Sequence, residues 1–213
     1  VMVTSLSQLA SSQIETTAAP TTIEEKPKAI SAVTTDIALR QQEIGGICSE
    51  LSEQTAAINP NVIVDCTLNR ISFGDAGRFA SDQYVLHEDG QQALSDTLHL
   101  LLETANSAVG KKWLKQVVIE GFTDTDGSYL YNLNLSLKRS EWVMCTLLRS
   151  DGLGPIQFTS DQRIQIKKLF LAGGVAFNNI QSSKDASRRI ELRLQFYGQE
   201  SEKPISPAYE LKF

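Results

Sequence analysis

No aromatic residue precedes Phe73, although the chain carries 8 Phe, 5 Tyr and 2 Trp in its 213 residues. The first third therefore lacks the large side chains that dominate core burial and is not expected to build a core of its own. Histidine is nearly missing. His87 and His99 are too few and too far apart for a histidine metal site. The three cysteines, Cys48, Cys66 and Cys145, form no C-x-x-C pair, which excludes a zinc ribbon or a thioredoxin motif. No window reaches the ~20 apolar residues of a membrane span. Positive charge is in deficit: the net charge is −5, which argues against nucleic acid as a partner. The G-x-S-x-G signature is absent, and no Ser, Cys or carboxylate pair stands beside a plausible histidine base, so nothing points to an enzyme. No cofactor is expected. Asp124-x-Asp126-Gly127 is no EF-hand, because the glycine falls too early and Leu135 stands where the bidentate Glu belongs.

What is present suffices for a real core, since 41% of residues are hydrophobic and 21% are charged. The chain opens VMVTSLSQLA, short, apolar and uncharged. Residues 1–9 read either as a frayed helix start or as the end of a transmembrane helix cut off upstream; the second reading is adopted. Residues 10–36, rich in Ser, Thr, Ala, Glu and Lys with Pro20 and Pro27, read as a flexible tether. It would span at most about 90 Å. From Ile37 a helical stripe of Ile37, Ile44, Cys48, Leu51 and Thr55 leads to a break at Asn59–Pro60, despite Gly45 and Gly46.

Residues 62–197 carry the domain. VIVDCTLNRISFG reads as one strand ending near Phe73, and 74–86 as a loop. Ala93, Leu94, Leu98, Leu101, Leu102 and Ala105 share a helical face, LKQVVIEGF (114–122) is a buried strand, and 131–149 is a second long helix. A short helix at 160–169 precedes the strand LFLAGGVAF and a polar loop, 178–187. In RRIELRLQF, Ile190, Leu192 and Leu194 face one way and Arg189, Glu191 and Arg193 the other. Strands interleaved with helices imply an α+β sandwich, a mixed sheet with helices packed on one face. A polar tail, 198–213, follows.

The most informative stretch is VVIEGFTDTDGSYLYNLNLSLKRSEWV, residues 117–143. On a helical wheel Asn132, Leu135, Ser136 and Arg139 fall within about 100° of one another. Leu133, Leu137, Ser140, Met144 and Leu147 form an adjacent stripe, expected to be the core side. Asp124 lies in a turn just past the strand. An acid there and an arginine on the adjoining helix could grip the two ends of a zwitterion, the carboxylate taking an ammonium and the guanidinium a carboxylate. The residues alone leave open that Asp124 and Arg139 pair with each other or are solvated. Both positions lie off the expected core stripe, so substitution of either should leave the fold intact.

The stretch resembles the OmpA-like (OmpA/MotB) peptidoglycan-binding domain. The resemblance rests on Glu120–Gly121–Phe122–Thr123–Asp124–Thr125–Asp126–Gly127, on Tyr131–Asn132 through Leu135–Ser136 to Arg139, and on Ser187–Arg188–Arg189–Ile190–Glu191–Leu192. It implies that Asp124 and Arg139 hold the diaminopimelate of the peptidoglycan stem peptide, with Asn132 and Leu135 as neighbouring walls. Thr123 and Tyr131 flank them, and Arg188 reaches the rim. Phe122 stands where the family has His and Ser187 where it has Asn, which leaves the loop's own hydrogen bonding in question. Together with the segment QIKKLFLAGGVAFN and the opening VMVTSLS, the chain is further similar to MotB-like subunits of an anti-phage stator. That resemblance implies a non-catalytic, single-pass inner-membrane protein. Its main part would be periplasmic, and it would be a homodimer held by a motor-type channel subunit. A structural dimerisation domain that keeps the fold and has lost its ligand is the alternative.

An oxidising periplasm permits a disulfide. Cys48 lies about 16 Å of helix before the Asn59–Pro60 break, and Cys66 about 20 Å of strand after it. Running back along each other, the two reach similar height, so a Cys48–Cys66 bridge is expected and Cys145 is left free. Three separate thiols are the alternative.

Overall fold

The structure is a computed structural model that describes residues 26–150 and 156–199, with side chains described from residue 35 onward in the first stretch. The expected membrane segment 1–9, residues 10–25 of the tether and the tail from Glu200 lie outside the described residues. Among the described residues, no helix is long and apolar enough to cross a membrane. The chain falls into two compact units, Val1–Ala38 and Leu39–Phe213.

Helix α1 runs from Lys26 to Ile58. It begins eleven residues before the expected Ile37, so 26–36 is helical rather than tether. Pro27 is no obstacle, because N–H groups in a first turn have no intrahelical acceptor. Gly45 and Gly46 do not break the helix either. The burial of Ile44, Ile47 and Leu51 outweighs a propensity cost of about 1 kcal/mol per glycine.

The expected single strand at 62–73 is instead a hairpin, β1 (Ile63–Asp65) and β2 (Arg70–Ser72). The carboxylate of Asp65 turns the chain by accepting from the N–H groups of Thr67 and Leu68 at 2.8 and 3.0 Å, and Asn69 takes a left-handed φ of 53°. Cys66 sits in that turn. It is bonded to Cys48, with the two Cα atoms 5.6 Å apart, and Cys145 is free and exposed. Closing the 18-residue separation contributes about 3 kcal/mol.

A 3-10 turn (Gly74–Gly77) leads to α2 (Glu88–Asn106), and a short helix not expected from the sequence, α3 (Ala108–Trp113), delivers the chain to β3 (Leu114–Gly121). Then come α4 (Tyr129–Leu148), α5 (Ser160–Leu169), β4 (Phe170–Gly174), α6 (Lys184–Ser187) and β5 (Ile190–Phe196). The sheet order is β1-β2-β5-β3-β4. Only the β3–β4 pair is parallel, because the α4–α5 crossover joins them. This is the expected α+β architecture with a mixed sheet. Its core joins Ile71, Val117, Ile119, Ile190, Leu192 and Leu194 of the strands to Leu94, Leu98, Leu101, Val143, Leu147 and Ile166 of the helices. Trp113 and Trp142 pack against that core.

Two glycines seat α4 on the sheet. Gly121 of β3 and Gly174 of β4 are register partners. A Cβ on the first would lie 2.1 Å from the Ser136 carbonyl oxygen, and one on the second 2.6 Å from Ser136 Oγ. The helix therefore crosses the strand ends at backbone contact. That places Asn132, Ser136 and Arg139 directly over the loop leaving β3.

Candidate functional site

At the end of β3 the backbone stays tied to its neighbours. Phe122 N–H donates to the Arg189 carbonyl and Thr123 N–H to the Ala176 carbonyl, each at 2.9 Å. The turn that follows is bound to α4 through Ser128, whose Oγ caps the helix, and through Asn132. Asn132 Nδ2 donates to the carbonyls of Asp126 at 2.8 Å and Ser128 at 3.1 Å. Those two donations fix the amide's orientation, so Oδ1 is the atom left over.

An open cavity of about 230 Å³ lies here. All seven residues expected from the sequence (Thr123, Asp124, Tyr131, Asn132, Leu135, Arg139 and Arg188) line it. Ser81, Asp82, Asp126 and Gly127 line it as well. Asp126 and Gly127 were readable from the D-x-D-G turn beside Asp124. Ser81 and Asp82 come from the 74–86 loop, where nothing in the sequence marks them. Asp82 takes a left-handed φ of 61° and accepts a hydrogen bond from the Tyr131 hydroxyl, which closes the rim. That bond holds the Tyr131 phenol above its ordinary pKa of 10.0.

Asp124 is buried but does not pair with Arg139. Its Oδ2 accepts from Arg188 Nη1 at 2.9 Å and its Oδ1 from the Asp126 N–H at 3.0 Å. Arg188 is itself braced by the Phe79 carbonyl at 3.1 Å and Asp185 at 2.8 Å.

Arg139 is fully buried, which overturns the expectation that its helix face lies off the core. Its Nε donates to the Gln83 carbonyl at 2.9 Å, Nη1 to the Phe122 carbonyl at 2.5 Å and Nη2 to the Ala80 carbonyl at 3.4 Å. Its guanidinium stands 4.6 Å from the Phe79 ring centre. Among the described residues no carboxylate forms an ion pair with it. Burial lowers its pKa to about 10, with nearby Asp124 opposing that shift, so it stays charged at neutral pH. The physical reason for the correction is close packing. The glycine seat presses the Asn132–Ser136–Arg139 face inward, and Leu137 of the expected core stripe is left 45% exposed.

Two buried polar atoms of the cavity residues have no partner, Thr123 Oγ1 and Asn132 Oδ1. An unmet acceptor and a carboxylate on one side, with an unneutralised buried cation on the other, suit a ligand that brings an ammonium and a carboxylate. Among the described residues no group of three or more His, Cys, Asp or Glu side chains is placed to hold a metal.

No family model matches the chain. Over 161 residues it is 58% identical to Zorya protein ZorB of Escherichia coli O139:H28 (strain E24377A / ETEC), a match covering 75% of this chain and 65% of that protein. The chain spans just under two thirds of the relative's length. Among solved structures, a MotB-like protein from Desulfovibrio vulgaris aligns with a TM-score of 0.45 at 15% identity, over 74% of this chain and 99% of that one. The peptidoglycan-associated lipoprotein of Burkholderia pseudomallei aligns at 0.36 with 21% identity, over 56% of this chain and 87% of that one.

The two departures from the OmpA-like motif fall outside the cavity lining. Phe122 is buried, with the guanidinium of Arg189 4.1 Å from its ring centre. Ser187 Oγ accepts from Gln181 N–H and donates to the Ser183 carbonyl, both at 2.8 Å. The serine thus supplies the loop bonds whose status the sequence left in question.

Proposed function

We propose that the chain is the non-catalytic, cell-wall-binding part of a membrane stator and that its cavity takes the diaminopimelate side chain of the peptidoglycan stem peptide. The observation that carries this reading is the fully buried Arg139 guanidinium, whose hydrogen bonds among the described residues all go to carbonyls and which lines a cavity with an unmet Asn132 Oδ1. The ligand's ammonium meets Asp124 and Asn132 Oδ1, and its carboxylate takes the guanidinium N–H groups that the carbonyls leave unused. Identity to ZorB supports placing the chain in an anti-phage assembly. In that assembly the chain is a periplasmic homodimer, anchored in the inner membrane and paired with a ZorA-like motor channel.

Asp124→Asn is the cleanest test, since it keeps the shape and removes the charge. A charge-assisted bond is worth about 1.5–3 kcal/mol, so affinity for purified peptidoglycan should fall by roughly 10–150-fold at an unchanged circular dichroism spectrum. Free diaminopimelate should compete with the wild-type protein. In the full-length protein the variant should still co-purify with the ZorA-like subunit and should lose protection against phage. Wild-type retention on peptidoglycan by Asp124→Asn would refute the site. Failure of the unsubstituted protein to bind would leave the dimerisation reading.

A further inference from the structure

Arg188 is shared between two carboxylates. Its Nη1 donates to Asp124 Oδ2 in the cavity at 2.9 Å, and its Nη2 donates to Asp185 Oδ1 at 2.8 Å. Asp185, in α6, is shared in turn. Its Oδ2 accepts from Arg78 Nη1 at 2.8 Å, and Arg78 Nη2 meets Asp75 Oδ1 at 2.7 Å. Asp75, Arg78, Asp185, Arg188 and Asp124 therefore form a row of alternating charge. It runs from an Asp75 side chain that is 87% exposed to an Asp124 side chain that is 8% exposed, so solvent screens the outer end far more than the inner one.

Backbone bonds hold both arginines in place. Phe79 N–H donates to the Arg188 carbonyl at 2.7 Å, and Arg188 Nε returns a bond to the Phe79 carbonyl at 3.1 Å. Arg78 pairs with Arg189 as an isolated β-bridge. Lys184, also in α6, goes to Asp126 at 2.5 Å and stays out of the row.

Three acids against two arginines leave the row with one net negative charge. Among the described residues, Asp124 receives one charged donor, Arg188 Nη1, with the Asp126 N–H on its other oxygen. It keeps lone pairs for an ammonium group. Without Asp185, Arg188 Nη2 would be free to join Nη1 on Asp124 as a fork, and the acid would be neutralised.

We infer that Asp185 is a positioning residue for the cavity. It draws one arm of the Arg188 guanidinium away from Asp124 and so keeps that carboxylate open to the ligand's ammonium. Arg78 competes with Arg188 for Asp185 and limits this effect. The inference rests on the zwitterionic ligand proposed above. Its signature is an effect that changes sign along the row. Loss of Asp185 weakens binding, whereas loss of Arg78 leaves Asp185 wholly to Arg188 and strengthens it.

Affinity for purified peptidoglycan is measured for the wild type, Asp185→Ala, Arg78→Ala and the double variant. The outer pairs are solvent-screened, so the effects are modest: Asp185→Ala should lose roughly 3–5-fold and Arg78→Ala should gain about twofold. In the Asp185→Ala background, Arg78→Ala should add nothing, because its route to Arg188 is cut. Unchanged binding in Asp185→Ala, or a loss in both single variants, overturns the inference. So does a gain from Arg78→Ala that persists without Asp185, since a long-range field would then suffice. A second measurement needs no ligand. A double-mutant cycle of Asp124→Asn and Arg188→Gln, read from urea midpoints, should show stronger coupling in the Asp185→Ala background than in the wild type. Equal coupling overturns the charge sharing. If the wild type fails to bind peptidoglycan, the ligand reading falls, and this cycle alone decides whether Asp185 divides Arg188.

Discussion

Two places in this domain bury arginines, and they solve the same electrostatic problem in opposite ways. On the sheet face away from the core, Arg70 Nη1 meets Glu120 at 2.6 Å and Glu191 at 2.9 Å, Arg193 meets Glu120 at 2.7 Å, and Arg189 meets Glu191 at 2.6 Å. Glu120 and Glu191 are direct cross-strand partners that would repel each other, and Arg70 lies against both. Burial works against the Arg70 charge, yet the two glutamates outweigh it and hold its pKa above the ordinary value. At the cavity, burial wins instead and lowers Arg139 to about 10. In the ladder every arginine meets a carboxylate, although Arg189 Nη2 is left without a hydrogen bond. The cavity keeps a buried cation that, among the described residues, has no carboxylate in an ion pair with it.

The largest expected effect comes from removing the cavity's cation. Arg139→Ala strips three carbonyls of their donor and empties a closely packed position. Stability should fall by about 3–5 kcal/mol in chemical denaturation, and wall binding should go with it. If the variant folds as stably as the wild type, the guanidinium is no structural pin and the contrast with the ladder collapses.

Glu120→Gln should cost less, about 2 kcal/mol, because Arg70 and Arg193 keep side-chain exposures of 21% and 22% and solvent screens them. Peptidoglycan binding should stay at the wild-type level. A loss of binding at full stability would mean that the ladder, too, serves the ligand. Arg139→Lys sharpens the division further. It keeps the charge but lacks the planar fork, so one or two hydrogen bonds to carbonyls are lost. Stability should fall by about 1–2 kcal/mol, roughly half the loss in the alanine variant.

The smallest effect is at the rim. Tyr131 donates to Asp82, so its folded pKa lies above 10.0. The neutral phenol is the form the fold favours. This bond's contribution to stability is therefore present below the unfolded pKa near 10 and is lost as pH rises through the higher folded value. Titration by ultraviolet absorbance should show the Tyr131 midpoint above 10, returning toward it in Asp82→Asn. An unshifted midpoint in the wild type would remove the rim contact from the account.

How legible all this was varies by element. The period of Leu94, Leu98 and Leu101 marked α2, and the alternation of Ile190, Leu192 and Leu194 marked β5, because each pattern repeats along one buried face. The hairpin at 62–73 was not legible, since a side-chain turn through Asp65 leaves no glycine or proline to announce it. Helix α4 was misread in rotation. Hydrophobicity favoured the Leu133–Leu137 stripe, whereas the glycine seat turned Asn132, Ser136 and Arg139 inward.

The sequence by itself determined the alternation of strands and helices through periodicity, pointed to Cys48 and Cys66 through spacing with three separate thiols as the alternative, and marked the seven cavity residues through the motif resemblance. These are properties read along the chain. Only the tertiary structure decided what those residues touch. Asp124 took Arg188 rather than Arg139, and Arg139 took three carbonyls from segments 17 to 59 residues away. Ser81 and Asp82 joined the wall from a loop with no signal of its own. The reason is physical. A buried charge is settled by whichever groups the fold brings within about 3 Å, and that distance is set by packing between elements rather than by order along the chain.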